Sequence, residues 1–143
     1  FGPSVDVLMP TGSFEDGLGT SSWTVVPGVM AGLMVADWIQ FFPVISYQWI
    51  SKPTTDLIPD EFKESKSGLT FQIITPIVFS DKFFMQITPI YAINDINNAK
   101  EDGYRQEALA QYALKETFQL SAFFAGDFNN EAYTFRLGAV IFL

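Results

Sequence analysis

Between Leu69 and Asp95 the chain reads L-T-F-Q-I-I-T-P-I-V-F-S, then Asp81-Lys82, then F-F-M-Q-I-T-P-I-Y-A-I-N-D. Two apolar runs flank a two-residue charged turn. Their odd positions are lipid-like: Leu69, Phe71, Ile73, Ile77 and Phe79, then Phe83, Met85, Ile87, Tyr91 and Ile93. The even positions include Thr70, Gln72, Ser80, Gln86, Thr88 and Asn94. Alternation with period two on both sides of a tight turn specifies a β-hairpin. Soluble strands usually run about 5–6 residues, whereas a tilted bilayer-spanning strand needs about 9–11. These arms have the longer measure.

The same alternation continues through the chain and predicts eight strands. They are Ser4–Met9, Trp23–Ala36, Trp38–Ser51, Leu69–Ser80, Phe83–Asp95, Tyr104–Leu114, Phe118–Gly126 and Ala132–Leu143. Asp37, Asp81-Lys82 and Lys115-Glu116-Thr117 are the short turns. Polar loops at residues 10–22, 52–68 and 96–103 are long, and Phe128–Glu131 is intermediate. Long loops alternating with tight turns describe an antiparallel up-and-down transmembrane β-barrel, with both termini on the tight-turn, periplasmic side. The 143 residues form one domain on this reading.

Composition narrows the function classes. Sixteen acids against eight bases give a net charge of −8, which argues against nucleic acid as a partner. The chain has no cysteine, so disulfides and thiolate metal sites are excluded. It has no histidine, which removes the commonest general base and transition-metal ligand. Neither a cofactor nor a metal is expected, and an enzyme is not expected. No stretch approaches the 18 or so apolar residues of a membrane helix. No basic-then-apolar leader precedes Phe1, so an export signal is expected to lie outside these residues.

A soluble ligand-binding β-barrel also alternates, but its outer face is polar and about 25–35% charged. Here no Asp, Glu, Lys or Arg lies between Trp38 and Ser51 or between Leu69 and Ser80. Small uncharged polar groups suit an enclosed, hydrogen-bonded lumen. Aromatic residues gather at strand ends, and Trp23, Trp38, Trp49, Phe83, Tyr104 and Tyr133 are expected to form interface girdles. Pro27, Pro43, Pro76 and Pro89 fall inside strands. Proline carries no N–H, so bulges or a kinked wall are expected there.

Parity turns five charges to the polar face: Asp6, Arg105, Glu107, Asp127 and Arg136. An isolated charge in a low-dielectric lumen is costly, so pairing is expected. Arg136 is expected to pair with Glu107, Asp127 or Asp6. Such a cluster serves as a structural plug of salt bridges, as a polar translocation path, or as a carboxylate pair for acid–base work, in that order of preference. The acidic loops (Glu15 and Asp16; Asp56, Asp60, Glu61 and Glu64; Asp95, Glu101 and Asp102) lack the ligand spacing of a calcium loop and read as solvated surface.

L-M-P-T-G-S-F (Leu8–Phe14), L-G-T-S-S-W-T-V-V-P-G (Leu18–Gly28) and the closing Y-T-F-R-L-G-A-V-I-F-L (Tyr133–Leu143) resemble a group of bacterial outer-membrane proteins, the phenol-degradation (MetA-pathway) and transporter-like barrels. The resemblance implies a Gram-negative outer-membrane barrel in contact with membrane lipid, lipopolysaccharide and other outer-membrane subunits. It also points to porin-like transport of small hydrophobic molecules, but an eight-stranded barrel is filled by its own side chains, so a structural or partner-binding role is the first expectation and transport the alternative. The closing segment resembles a barrel-assembly signal, with Leu143 where that signal carries phenylalanine.

Overall fold

A computed structural model describes residues 1–11, 20–97 and 102–141. Nine strands form one antiparallel sheet: β1 (Gly2–Leu8), β2 (Thr24–Met30), β3 (Leu33–Ala36), β4 (Ile39–Ile50), β5 (Lys66–Ser80), β6 (Phe83–Ile93), β7 (Asp102–Lys115), β8 (Phe118–Asp127) and β9 (Ala132–Ile141). The spatial order is β1-β2-β4-β5-β6-β7-β8-β9, with β3 beside β4. Apart from β2 and β3, which lie in line and both pair with β4, sequence neighbours pair, as expected of an up-and-down meander. A single 3₁₀ turn, Asp60–Phe62, interrupts the β4–β5 loop. Phe142, Leu143 and most of the first loop lie outside the described residues, as does Glu101.

Two expectations are corrected. The strand expected at Trp23–Ala36 is two, because pairing lapses at Ala31-Gly32. Register is nevertheless continuous: Met30 opposes Val44 and Leu33 opposes Phe41 on one uninterrupted count. The second correction concerns closure. β1 and β9 stand at opposite ends of the strand order and do not pair with each other, so the sheet is open.

The in-strand prolines do not make bulges, and the reason is visible in the ladder. The Ser51 amide donates to the Trp23 carbonyl at 2.9 Å and the Ala31 amide to the Pro43 carbonyl at 3.0 Å. In an antiparallel ladder, bonded positions recur every second residue. Pro27 therefore faces Tyr47, and Pro43 faces Ala31, at bonded positions. The Val78 amide donates to the Trp38 carbonyl at 2.8 Å, which puts Pro76 opposite Gln40 in the same way. The Ala113 amide donates to the Lys82 carbonyl at 2.8 Å, so even positions of β6 face β7 and Pro89 faces Ile73 on β5. Each proline nitrogen has no hydrogen, so the carbonyls of Tyr47, Ala31, Gln40 and Ile73 lose their ladder donor. Pairing lapses at each of these places and resumes in the same register.

Bulges occur instead at the tight turns. Register shifts by one residue between Met34 and Ala36, Val78 and Ser80, and Ala113 and Lys115. Each shift precedes a two-residue turn. The extra residue is apolar and exposed every time: Val35, Phe79 and Leu114. At the second turn the Ser80 hydroxyl accepts from the Lys82 and Phe83 amides.

No side chain among the described residues is fully buried, and Ala125 is the one buried apolar residue. The chain exposes 10035 Å², whereas a compact protein of this mass exposes about 7,400 Å². The sheet is a single layer without a core of its own.

Replacing Pro89 by valine supplies the missing donor to Ile73. In the dilute single chain the new amide at position 89 is expected to resist hydrogen exchange, whereas the amide of Pro3→Val, which points to the open edge of β1, exchanges freely. Equal exchange at both sites would contradict this ladder. At Gly68 an added Cβ lies 2.6 Å from the Ile93 carbonyl oxygen, a backbone atom that cannot swing away. Gly68→Ala is expected to cost about 1–3 kcal/mol in denaturant unfolding, and Gly103→Ala, with open space around it, much less.

Candidate functional site

The ladders sort the side chains into two faces. On one, Ile45, Phe71, Tyr91 and Tyr104 form a row across β4 to β7, and Ile87, Ala108, Phe124 and Phe135 form another across β6 to β9. Within the ladders of β4 to β9 this face carries two acid or base side chains, one at each rim: Asp102 at the long-loop end and Lys115, opposite Phe118 beyond the bulge, at the tight-turn end. On the other face, Gln72, Ile90, Arg105, Asp127 and Ala132 share a row, as do Thr88, Glu107, Ala125 and Thr134. Exposure is inverted relative to a sheet in water. In β4 Ile45, Tyr47 and Trp49 are exposed while Ser46, Gln48 and Ile50 are half-buried. Thr88, on the polar face, is 4% exposed.

The structure brings together three of the five charges expected on the polar face. Arg105 Nη2 lies 2.7 Å from Glu107 Oε1, two residues along β7 and therefore on one face. Asp127 opposes Arg105 across the β7–β8 ladder. Asp127 is held by its own turn: Oδ1 accepts from the Asn129 and Asn130 amides and Oδ2 from Asn130 Nδ2 at 2.9 Å. Asn129 ties that turn to β7, donating to the Asp102 carbonyl and accepting from the Tyr104 amide. Glu131 takes the left-handed conformation (φ 52°) that completes the turn. A small hollow of about 220 Å³ beside Arg105 and Asp127 is bounded by Thr70, Asn94 and Gly103.

Arg136 and Asp6 are not part of this group. Arg136 opposes Phe123 on the exposed edge strand β9 and has no carboxylate partner among the described residues. Asp6 is exposed on β1, at the far end of the sheet. The expected pairing of Arg136 with Glu107, Asp127 or Asp6 is therefore not found. Glu107 is engaged by Arg105, Asp127 by its turn, and the open sheet separates Asp6 from β9.

The expected girdle residues divide between two rims. Trp23, Trp49, Tyr104 and Tyr133 lie at the long-loop end, and Trp38 and Phe83 at the tight-turn end. Phe83 stacks on Phe79 at 5.1 Å. At the long-loop rim Phe128 bridges Tyr104 and Tyr133, with ring centroids 5.6 and 6.1 Å away. Two members were absent from the expected set. Tyr91 donates its hydroxyl to Asp102 Oδ2 at 2.7 Å, an aromatic body with its polar tip turned to the loops. Phe128 sat in a presumed loop. The legible signal for Tyr91 was its place eight residues beyond Phe83 on one strand.

The loops carry a second tie. The Thr54 amide and hydroxyl both donate to the Ser21 carbonyl, and the Trp23 amide donates to Ser51 Oγ. Of the acidic loop residues, Asp60 bonds Lys63 at 2.6 Å. That hydrogen bond, with the lysine charge, holds the Asp60 carboxyl below its usual range. Among the described residues no three acidic side chains converge as a metal site. Searches of family models, curated proteins and solved structures found no match to this chain.

Arg105→Gln, which breaks a half-exposed pair, is expected to lower stability by about 0.2–1 kcal/mol. Arg136→Gln in the dilute single chain is expected to change it by no more than about 0.5 kcal/mol. Urea unfolding of the two variants in parallel checks the ranking, and a larger loss at Arg136 would show that it has a partner.

Proposed function

We propose that this sheet is wall of a bacterial outer-membrane β-barrel, with a structural or partner-binding role and no catalysis. The observation that carries the reading is the inverted exposure of the central strands: Ile45, Tyr47, Trp49, Phe71 and Ile73 are exposed, while Ser46, Gln48, Thr70, Gln72 and Thr88, with Phe42, Phe84 and Phe123 on the same face, are half-buried or buried. Water penalises that arrangement by roughly 25 cal/mol for each Å² of apolar surface, and lipid removes the penalty. Membrane lipid is then the partner of the apolar face. Lipopolysaccharide is the partner of the long-loop rim, where Tyr91 and Asp102 present hydroxyl and carboxylate together.

Dimensions agree. Phe83 and Tyr91 are eight residues apart on one strand, about 27 Å at 3.4 Å per residue. Tilted about 40°, that is roughly 21 Å along the membrane normal, close to the ~25 Å apolar band of such barrels. Backbone groups inside lipid must be paired, and the ladders over β6 to β9, broken only by the Leu114 bulge at the tight-turn rim, meet that demand.

A second reading, transport of small molecules, is favoured by the open sheet. Eight strands that do not close on themselves suit a wider ring, and wider rings leave an aqueous channel. Arg105, Glu107 and Asp127 would then line the channel near its loop-side mouth.

Ile73 lies mid-strand on the apolar face, beside Gln72 on the polar one. In lipid vesicles Ile73→Arg is expected to cost about 2–4 kcal/mol and Gln72→Ala distinctly less. Equal tolerance at the two sites would remove the membrane assignment. Single-channel recording separates the readings, since a structural wall conducts no ions.

A further inference from the structure

We infer that the free edges of β1 and β9 mate between two copies of this chain, with Asp6 of one copy opposite Arg136 of the other. The inference stands on the edges themselves and holds whichever medium surrounds the apolar face.

The first ground is backbone direction. The Phe128 amide donates to the Tyr104 carbonyl at 3.1 Å, so even positions of β8 face β7 and odd ones face β9. It follows from the β8–β9 register that Tyr133, Phe135, Leu137, Ala139 and Ile141 turn their N–H and C=O groups to the open edge. By the same count Val5 and Val7 do so on β1, and Pro3 turns its C=O there. Such rows are templates for another strand. Alternating antiparallel pairing through eight positions makes β1 and β9 run in opposite directions. A β9 laid against the β1 of another copy is therefore antiparallel, and its apolar side chains fall on the same face as those of β1.

Charge sets the register. Asp6 is the sole charge on β1 and Arg136 the sole charge on β9, both exposed and both on the polar face. Neither has an ion-pair partner among the described residues. At these non-bonded positions facing Cα atoms approach to about 4.5 Å. Placing Asp6 opposite Arg136 puts Val5 against Leu137 and Val7 against Phe135. It also lays all of β1 against residues 134–140, inside β9. Proline at position 3 then lacks a donor to Ala139, one bond of the set.

Ring geometry agrees as well. The row from Ala132 crosses one copy to Gly2. In this register Gly2 meets Val140 of the next copy, a stagger of about eight residues for eight strands. That stagger corresponds to a strand tilt of about 36°, within the 35–45° of closed barrels, and each added copy preserves it. The same stagger would fit β9 against the β1 of its own copy, and it is the open sheet, with its two edges at opposite ends of the strand order, that assigns the contact to a second copy.

The chain has no native cysteine, so disulfide trapping is clean. Bonded partners lie about 5.5 Å apart at Cα, inside the range a disulfide spans. Val5→Cys chains are mixed with Leu137→Cys chains in detergent micelles, with circular dichroism confirming sheet content. Oxidation is expected to link the two kinds of chain, and Asp6→Arg to reduce linking about tenfold, the effect of roughly 1.4 kcal/mol. Adding Arg136→Asp to the same chains is expected to restore it. The chain carrying both cysteines is run beside them. An internal disulfide in that chain would show closure within one copy and overturn the inference, as would the absence of linking in the mixture. Linking that ignores the charge reversal would overturn the register.

Discussion

The cross-strand ladder is what this structure depends on. Most small proteins are held by a core, with hydrogen bonds contributing uniqueness and little net energy. Here one apolar residue among those described, Ala125, is buried, so packing among them cannot offset the entropy of ordering the backbone. The sheet exists because successive strands pair across tight turns and across longer loops, and closure entropy grows only slowly with loop length. Whatever covers the apolar face must supply the rest of the stability. That dependence makes lost ladder bonds consequential. Four prolines each remove one donor, and all four act between β2 and β6. The β6–β7, β7–β8 and β8–β9 ladders have no proline at a bonded position and run without a lapse except at the Leu114 bulge beside the last tight turn. The two halves of the sheet therefore differ in the completeness of their ladders, the missing bonds all lying in the first half.

Much of this was legible in the residues because period-two alternation is a direct record of a two-sided sheet. The Leu69–Asp95 hairpin, the three tight turns and the inward parity of Arg105, Glu107 and Asp127 all follow from it. The break at Ala31-Gly32 did not, since alternation continues across it and only the pairing lapses. The effect of the prolines was also hidden. Whether a proline nitrogen points at a neighbour or away from it depends on register, which one strand's sequence does not contain. Pro89 breaks the ladder to β5 and leaves that to β7 intact for this reason alone.

The charged group was half legible. Parity put Arg136 on the polar face correctly, but parity says nothing about distance across strands. Glu107 lies two residues from Arg105 on the same strand, so the nearest cation wins it. Asp127 is taken by Asn129 and Asn130, a turn motif that was readable as D-F-N-N but was weighed only as a loop. The acid left over is Asp6, and the open sheet carries it away from Arg136.

Those two leftovers bear on how the wall is completed. An exposed edge strand in a stable protein is usually blunted by lysine, by proline or by a covering segment. β1 has Pro3 near one end, and β9 has none of these devices. Its outward-facing backbone positions belong to tyrosine, phenylalanine, leucine, alanine and isoleucine, residues that favour strand pairing. An edge of that composition is suited to being paired rather than to being left in solvent. Its one polar-face charge then acts as a register mark, as a single charged residue can on an otherwise apolar contact. On the opposite edge, the lone acid of β1 has the complementary sign, the same face and the strand direction to meet it. The open ends and the unpaired charges thus have a common physical origin: both are halves of a contact that one copy of the sheet leaves unmade.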